Sequence, residues 1–414
     1  MNNYTLFSLI VALAIFMGYI NERVFKQQAT IAIMSGSLIV ATALIILQHL
    51  GISNLYFHAE NLVLQAHFEQ LLLDGMLSFL LFAGALTIDF NSLKSQKWEI
   101  AILASISTVS SACLVGTALY YLSSVLGLPI PYIYCLLFGS LISPTDPIAV
   151  LATFKRLGVS KKLSTCVAGE SLFNDGVGIV LFITLLELST SSNASFTPSS
   201  VILLFCQEAL GGIIFGIILG WLTSTLAKPL KEANAIILLT IGFVCGGYSL
   251  AQQLHISGPL AMVAAGIYVS CHLHHKIPEL HFHDLKKFWE IIDELLNAIL
   301  FLLIGFELLS LHASNAEIII AILIIPITLI IRWVTTGIPM KILGQFRKHN
   351  PYIVSILTWG GLRGGLAVAL ALSLPTSDYR SIIVTLTYAV VMFALIIQGS
   401  TIQTLARKSM ESPQ

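Results

Sequence analysis

Residues Ser140-Leu-Ile-Ser-Pro-Thr-Asp-Pro147 interrupt a long apolar run with two prolines and an aspartate. Proline has no backbone N–H, so each proline leaves the carbonyl group four residues earlier without its helical donor. Inside a membrane, such a break is tolerated only where it lines a cavity or is buried in protein. An acid at that depth is rare and usually functional. We therefore predict a functional role for Asp146 rather than a simple proline kink.

The composition of the whole chain places this break in a membrane. Of 414 residues, 56% are hydrophobic and only 10% are charged, whereas soluble domains carry about 25% charged residues. The 21 basic and 21 acidic residues cancel, so no excess charge attracts a nucleic acid. A cytosolic enzyme, a nucleic-acid-binding protein and a disordered scaffold are excluded. We predict an integral protein of the lipid bilayer.

Apolar runs of about 20 residues are long enough to cross a bilayer as helices. The chain has thirteen such runs, which begin near residues 4, 29, 70, 99, 129, 164, 200, 232, 256, 287, 315, 351 and 380. We predict an all-α membrane protein with about thirteen transmembrane helices, forming one unit over residues 1–414. Six acids near the ends of these runs are expected mostly to reach the membrane interface: Asp74, Asp89, Glu208, Asp293, Glu294 and Glu307.

The basic residues are distributed unevenly between the two sides of the predicted helices. Eighteen of them lie in alternate loops, and the remaining loops contain only Arg380. Cytoplasmic loops are enriched in Lys and Arg, so we expect the N-terminus outside and the C-terminus in the cytoplasm, in the cell (inner) membrane. The last two, Arg332 and Arg363, fall inside spans, where an arginine costs about 2.5–3.5 kcal/mol.

A second polar stretch, Gly169-Glu-Ser-Leu-Phe-Asn-Asp-Gly176, lies in the sixth span. Glu170 and Asn174 are neighbours on one helix face, and so are Ser171 and Asp175. For Glu170 and Asn174, a structural hydrogen-bond network and direct substrate contact both remain open. An unpaired Asp175 indicates function.

The two arginines inside spans need partners. For Arg332, in the eleventh span, we expect a structural ion pair with Glu170, because a buried cation requires an acid. Arg363 lies within Trp359-Gly-Gly-Leu-Arg-Gly-Gly365, where four glycines favour either an unwound backbone or close helix packing. Arg363 is therefore a candidate to line a site.

The two interrupted spans, five and twelve, are seven apart, so spans one to six and eight to thirteen form two inverted repeats. Interrupted helices at matching positions of inverted repeats are typical of the substrate site of secondary transporters. Burial and mutual repulsion favour neutralised carboxyl groups, and either a proton or a small cation can neutralise them. An intramembrane aspartyl protease and a cation channel are the alternatives.

Three motifs together resemble the signatures of monovalent cation:proton antiporters of the NhaP and sodium/hydrogen exchanger type. They are Ser143-Pro-Thr-Asp-Pro147, Gly169-Glu-Ser-Leu-Phe-Asn-Asp-Gly176 and Gly360-Gly-Leu-Arg-Gly364. The resemblance implies a secondary active antiporter, not an enzyme, that exchanges Na⁺, or else Li⁺ or K⁺, for H⁺ by alternating access. It implies electroneutral exchange, and we expect no cofactor beyond the transported ions.

The resemblance also assigns roles to individual residues. It implies that the monovalent cation is bound by Asp146, Asp175, the Ser171 hydroxyl and the Thr145 main-chain carbonyl. It implies that Asn174 orients the Glu170–Arg332 pair. Many relatives carry a glutamate in span three where this chain has Ala83, so that accessory acid is missing.

The resemblance further implies a homodimer that works by an elevator-like movement. Its mobile core would comprise about residues 70–187 and 287–405, and its dimerisation part about residues 1–69 and 200–286. A histidine-rich loop, His272–His283, is predicted on the cytoplasmic side. A solvated polar loop is favoured there over a pH sensor or a metal site.

Overall fold

The computed structural model describes residues 3–25, 28–51, 53–190, 198–311, 313–345 and 351–411. These residues are almost entirely helical, and no β-strand occurs among them. In chain order the α-helices are α1 (Asn3–Ile20), α2 (Ala29–His49), α3 (Ser53–Gln65), α4 (Phe68–Gln70), α5 (Leu77–Thr87), α6 (Phe90–Ser95), α7 (Lys97–Ile102), α8 (Thr108–Val125), α9 (Tyr132–Ile142), α10 (Ile148–Leu157), α11 (Lys161–Thr190), α12 (Pro198–Ala227), α13 (Ala233–Gln253), α14 (Gly258–Leu273), α15 (Glu279–Phe306), α16 (Asn315–Leu343), α17 (Ile353–Trp359), α18 (Gly365–Leu372), α19 (Arg380–Phe393) and α20 (Gly399–Glu411). Short π-helical stretches extend or join several of them, at Asn21–Phe25, Leu71–Met76, Leu103–Ser107 and Ala394–Gln398.

The all-α membrane architecture predicted from the sequence is confirmed. In the described part of the chain, nine helical stretches are long and apolar enough to cross a membrane, and two shorter apolar helices accompany them. The count of thirteen stays a prediction. Of the eighteen basic residues that predict the orientation, Lys26, Arg347 and Lys348 lie outside the described residues.

Two helical features differ from the expected pattern of spans. Helix α3 fills the interval between the second and third predicted spans; Tyr56 anchors it by donating a hydrogen bond of 2.8 Å to the carbonyl of Leu309. Helix α15 begins at Glu279, earlier than the predicted start near residue 287. Its first two turns alternate polar or charged residues with apolar ones, so they do not form the continuous apolar run expected of a span.

The two predicted interruptions are both present. Helices α9 and α10 are separated by residues 143–147, and α17 and α18 by residues 360–364. The two breaks cross each other: the Asp146 N–H donates a hydrogen bond of 2.8 Å to the carbonyl of Leu362, in an antiparallel bridge. Antiparallel crossing of two broken helices is the arrangement expected for inverted repeats.

The close approach of the two breaks depends on small residues. A Cβ atom at Gly364 would collide with the carboxylate of Asp146, and one at Gly178 of α11 would collide with the ring of Pro144. Glycine at these two positions therefore lets α11 and the second break pack directly against the first. The polar residues of three chain segments are brought together as a result.

Candidate functional site

A cavity of about 290 Å³ lies beside the crossing of the two breaks. Four predicted ion ligands line it: Thr145, Asp146, Ser171 and Asp175. Both aspartates are partly buried, and they are close enough for their charges to repel each other. The structure thus brings together oxygen-bearing groups from the first break and from α11.

The Asp146 carboxylate lies at the N-terminal ends of two half-helices. Its Oδ1 accepts a hydrogen bond of 2.9 Å from the N–H of Ile148, the first residue of α10. Its other oxygen approaches Gly364, which immediately precedes α18. Helix N-termini carry partial positive charge, so both half-helices favour an anionic side chain at this position.

Thr145, in the middle of the first break, is held by α11 through three hydrogen bonds. The amide oxygen of Asn174 accepts from the Thr145 N–H at 3.2 Å, and the amide nitrogen donates to the Thr145 hydroxyl at 2.9 Å. The Ser171 hydroxyl donates to the Thr145 carbonyl. The hydroxyl and carbonyl oxygens expected to bind the ion are therefore adjacent.

The described hydrogen bonds of Asn174 connect α11 to the first break. Its two described hydrogen bonds go to Thr145, and neither goes to the Glu170–Arg332 pair. Asn174 lies one helical turn after Glu170 on α11. At that position it is beside the break, and its amide therefore contacts Thr145. Its expected role in orienting the Glu170–Arg332 pair stays a prediction.

Glu170 and Arg332 form a buried ion pair. The Arg332 Nη2 donates to the carboxylate of Glu170, and their side chains are only 1% and 3% exposed. The same nitrogen donates to the carbonyl of Leu357 at 3.3 Å. The pair thus connects α11, α16 and α17 and is not among the groups that line the cavity.

Arg363 donates hydrogen bonds to backbone carbonyls of the first break. Its Nη1 donates to the carbonyls of Ser143 and Pro144 at 2.6 Å and 2.7 Å. The Ser143 carbonyl is one of the two that the prolines free, and a cation beside the C-terminal end of α9 also offsets its dipole. The side chain was a candidate to line the site, but its guanidinium is directed to these carbonyls and not into the cavity.

Sequence reasoning missed two polar residues of the cavity, Asp293 and Asn297 of α15. Asp293 was expected near the membrane interface, yet it lines the cavity together with the other aspartates. Its spacing of four residues from Asn297, which places both on one helix face, was the available signal. Ala83 is fully buried and does not line the cavity, although the next residue, Gly84, does.

Comparisons with known proteins identify the family. The sequence profile of the family "Sodium/hydrogen exchanger, transmembrane" matches residues 11–408. The chain is 40% identical over 403 residues to the Na⁺/H⁺ antiporter NhaP of Pseudomonas aeruginosa, covering 96% of this chain and 95% of that protein. It is 34% identical over 367 residues to the Na⁺/H⁺ antiporter NhaH of Halobacillus aidingensis, covering 87% and 89%.

The solved structure of the sodium proton antiporter MjNhaP1 from Methanocaldococcus jannaschii at pH 8 has the same fold. It matches with a TM-score of 0.77 and 20% sequence identity, over 99% of each chain. The matched profile and the sequence relatives establish the kinship, and the common fold agrees with it. The chain belongs to the sodium/hydrogen exchanger family of transmembrane proteins.

Proposed function

We propose that this chain is a secondary active antiporter that exchanges sodium for protons across the membrane. The single observation that carries the proposal is the cavity at the crossing of the two breaks, lined by Asp146 and Asp175. The family is one of transporters, and relatives that cover nearly the whole chain are named Na⁺/H⁺ antiporters. Nothing favours the protease or the channel alternative.

The ligands proposed for the cation are all oxygen atoms. Two carboxylates, the Ser171 hydroxyl and the Thr145 carbonyl are the kind of ligand that hard cations prefer. Either a bound cation or bound protons neutralise the aspartates, and a neutral site crosses a low-dielectric region at much lower cost than a charged one. Competition for the same carboxylates then couples the two fluxes in opposite directions.

Electroneutral exchange is part of the proposal. At the position beside Asp175 the chain carries Asn174, whose amide is occupied by Thr145. An amide contributes no titratable proton, so one sodium ion for one proton is the expected ratio. No resident cofactor enters this scheme, since the ions are the substrates.

We propose a homodimer with an elevator-like movement, in which the core of about residues 70–187 and 287–405 moves against the dimerisation part of about residues 1–69 and 200–286. Burial within the single chain supports this division. In the apolar windows of α1 and α12 only 11% and 22% of residues are buried, against 72% in the window Arg380–Met410. The least buried helices therefore belong to the part proposed to meet a second copy.

The chain is an integral membrane protein, and we propose the cell (inner) membrane as its location. The uneven distribution of basic residues supports an external N-terminus and a cytoplasmic C-terminus. In this orientation the C-terminal end of α5 faces the cytoplasm. The cavity reaches Thr87 and Ile88 at that end, so we propose that the structure is open to the cytoplasm.

The test is proton movement driven by cations in proteoliposomes that contain a pH-sensitive dye. Sodium, lithium and potassium are added in turn to the parent protein, to Asp175→Asn and to Glu22→Gln, which changes an exposed acid outside the cavity. We expect a sodium response that Asp175→Asn abolishes and Glu22→Gln retains. A well-folded parent protein that moves no protons with any cation would refute the proposal, and sodium flux without proton flux would indicate a channel.

A further inference from the structure

Helix α15 presents a polar face to the cavity that the scheme above does not use. Asp293 and Asn297 are four residues apart, so they lie on one face of the helix, and both line the cavity. Leu300, on the same face, packs against the position that a Cβ atom would take at Gly365, directly after the second break. Leu300 is therefore level with the crossing, and Asp293 lies about 10 Å further back along the helix axis.

The Asn297 amide has an unsatisfied acceptor. Its side chain is 3% exposed, and its Oδ1 has no hydrogen-bond partner among the described residues. A buried acceptor without a partner is unfavourable, because it has lost its hydrogen bonds to water. Asn297 lines the cavity one helical turn after Asp293, and an amide oxygen without a partner is the kind of ligand that a hard cation accepts.

The charged neighbours of Asp293 are acidic. Asp146 lines the same cavity as Asp293, and Glu290 lies three residues earlier on the same helix, where side chains are neighbours. Within the described part of the chain it forms no ion pair, in contrast to Glu170, which is paired with Arg332. The charge of Asp293 is therefore left for a cation from solution to balance.

Asp293 lies nearer the proposed cytoplasmic side of the cavity than Asp146 does. The first turns of α15 precede Asp293, and they lie on the proposed cytoplasmic side together with Thr87 of α5 and Leu151 of α10, which also line the cavity. A cation entering there would meet Asp293 before it reaches Asp146. Clefts lined by charge of one sign raise the local concentration of the opposite ion.

We propose that Asp293 and the amide oxygen of Asn297 form an outer site for a monovalent cation, on the cytoplasmic path to the Asp146–Asp175 site. The outer site rests on the proposed exchange function. It acts before translocation, because it collects the cation and passes it to the inner carboxylates. Its loss therefore weakens the apparent affinity for the cation and leaves the maximal exchange rate almost unchanged.

The test compares Asp293→Asn with Glu279→Gln, which removes the same charge from an exposed residue at the start of the same helix. Exchange is measured as a function of sodium concentration on the cytoplasmic face of inverted vesicles. For Asp293→Asn we expect the apparent KM for sodium to rise about tenfold, the lower end of the range for electrostatic focusing. The maximal rate should stay within about twofold, Glu279→Gln should match the parent, and Asp293→Glu should restore the KM.

Ionic strength provides a second readout. Because charges about 10 Å apart are largely screened at about 0.1 M salt, added choline chloride should shrink the difference between Asp293→Asn and the parent. An unchanged KM in Asp293→Asn would overturn the outer site. A loss of exchange as complete as that of Asp175→Asn would also overturn it, since Asp293 would then belong to the inner site.

Two controls keep the outcomes distinct. If Asp293→Asn gives no folded protein, Asn297→Leu replaces it, with the same rise in KM expected and an unchanged KM counting against the site. Absence of exchange in the parent protein would refute the proposed function itself. Normal exchange in the parent with a normal KM in the variant would refute the outer site alone.

Discussion

Replacing Arg332 by methionine removes the buried cation and keeps most of the aliphatic volume of the side chain. Glu170 then remains as an unpaired carboxylate in a site where the two side chains are 1% and 3% exposed. Removal of one partner of a buried ion pair costs about 3–5 kcal/mol. Because the total stability of a folded domain is about 5–15 kcal/mol, Arg332→Met is expected to lower folded yield severely.

The assay is thermal unfolding of the purified protein in detergent, followed by the folded fraction on size-exclusion chromatography. For a chain of 414 residues, the per-residue unfolding entropy of globular proteins converts that loss to a decrease of roughly 3–6 °C in Tm. The double variant Glu170→Gln/Arg332→Met removes both charges and should recover much of the loss, because no uncompensated charge stays buried. Arg156→Met, at an exposed position, is the control and should unfold with the parent.

Sodium dependence of exchange in the surviving folded fraction distinguishes a structural pair from a ligand of the ion. Since neither Glu170 nor Arg332 lines the cavity, we expect the apparent KM of Arg332→Met to stay within about twofold of the parent value. A variant with normal Tm and normal yield would refute the stability argument. Normal yield together with a changed KM would place the pair in the ion site.

Three further perturbations examine the crossing itself. Gly364→Ala adds a methyl group that collides with the Asp146 carboxylate. Sodium affinity should therefore fall at least about tenfold, a difference of 1.4 kcal/mol. Gly246→Ala is the matched control, because its methyl group meets nothing within 4 Å. Asn174→Ala removes two hydrogen bonds to Thr145, at about 1 kcal/mol each, and should lower both Tm and the exchange rate; a parent-like rate would show that Thr145 needs no such support. Sodium and protons compete for the same carboxylates, so the apparent KM for sodium should rise as the pH falls while the maximal rate holds, and a KM independent of pH across the working range would contradict competition.

The sequence predicts the breaks and the ion pair because each follows from a local rule. Two prolines around Asp146 and a glycine-rich stretch around Arg363 cannot continue a regular helix, and both interruptions are present. A buried Arg332 needs an acid, and Glu170 is the acid it meets. None of these inferences depends on how far one helix is displaced along its axis relative to its neighbours.

The hydrogen-bond partner of Asn174 and the position of Asp293 do depend on this displacement. The partner of Asn174 is Thr145 and not the ion pair, because the break is level with the later turn of α11. Asp293 lines the cavity because α15 begins at Glu279, two turns before the apolar pattern starts. Asp293, which is near the end of the predicted apolar run, is therefore well inside the helix.

The charges around the crossing agree with the proposed binding of cations. Arg363 is engaged by the backbone carbonyls of the first break, and Arg332 is engaged by Glu170, so both arginines inside the spans already have partners. Three aspartates of the cavity then share the space without a basic side chain of the described residues among its lining. Their charge is balanced by what enters from solution, a proton or a small cation. The proposed selection of cations therefore depends on acids that no basic side chain pairs, while Arg332 and Arg363 stabilise the fold through their own partners.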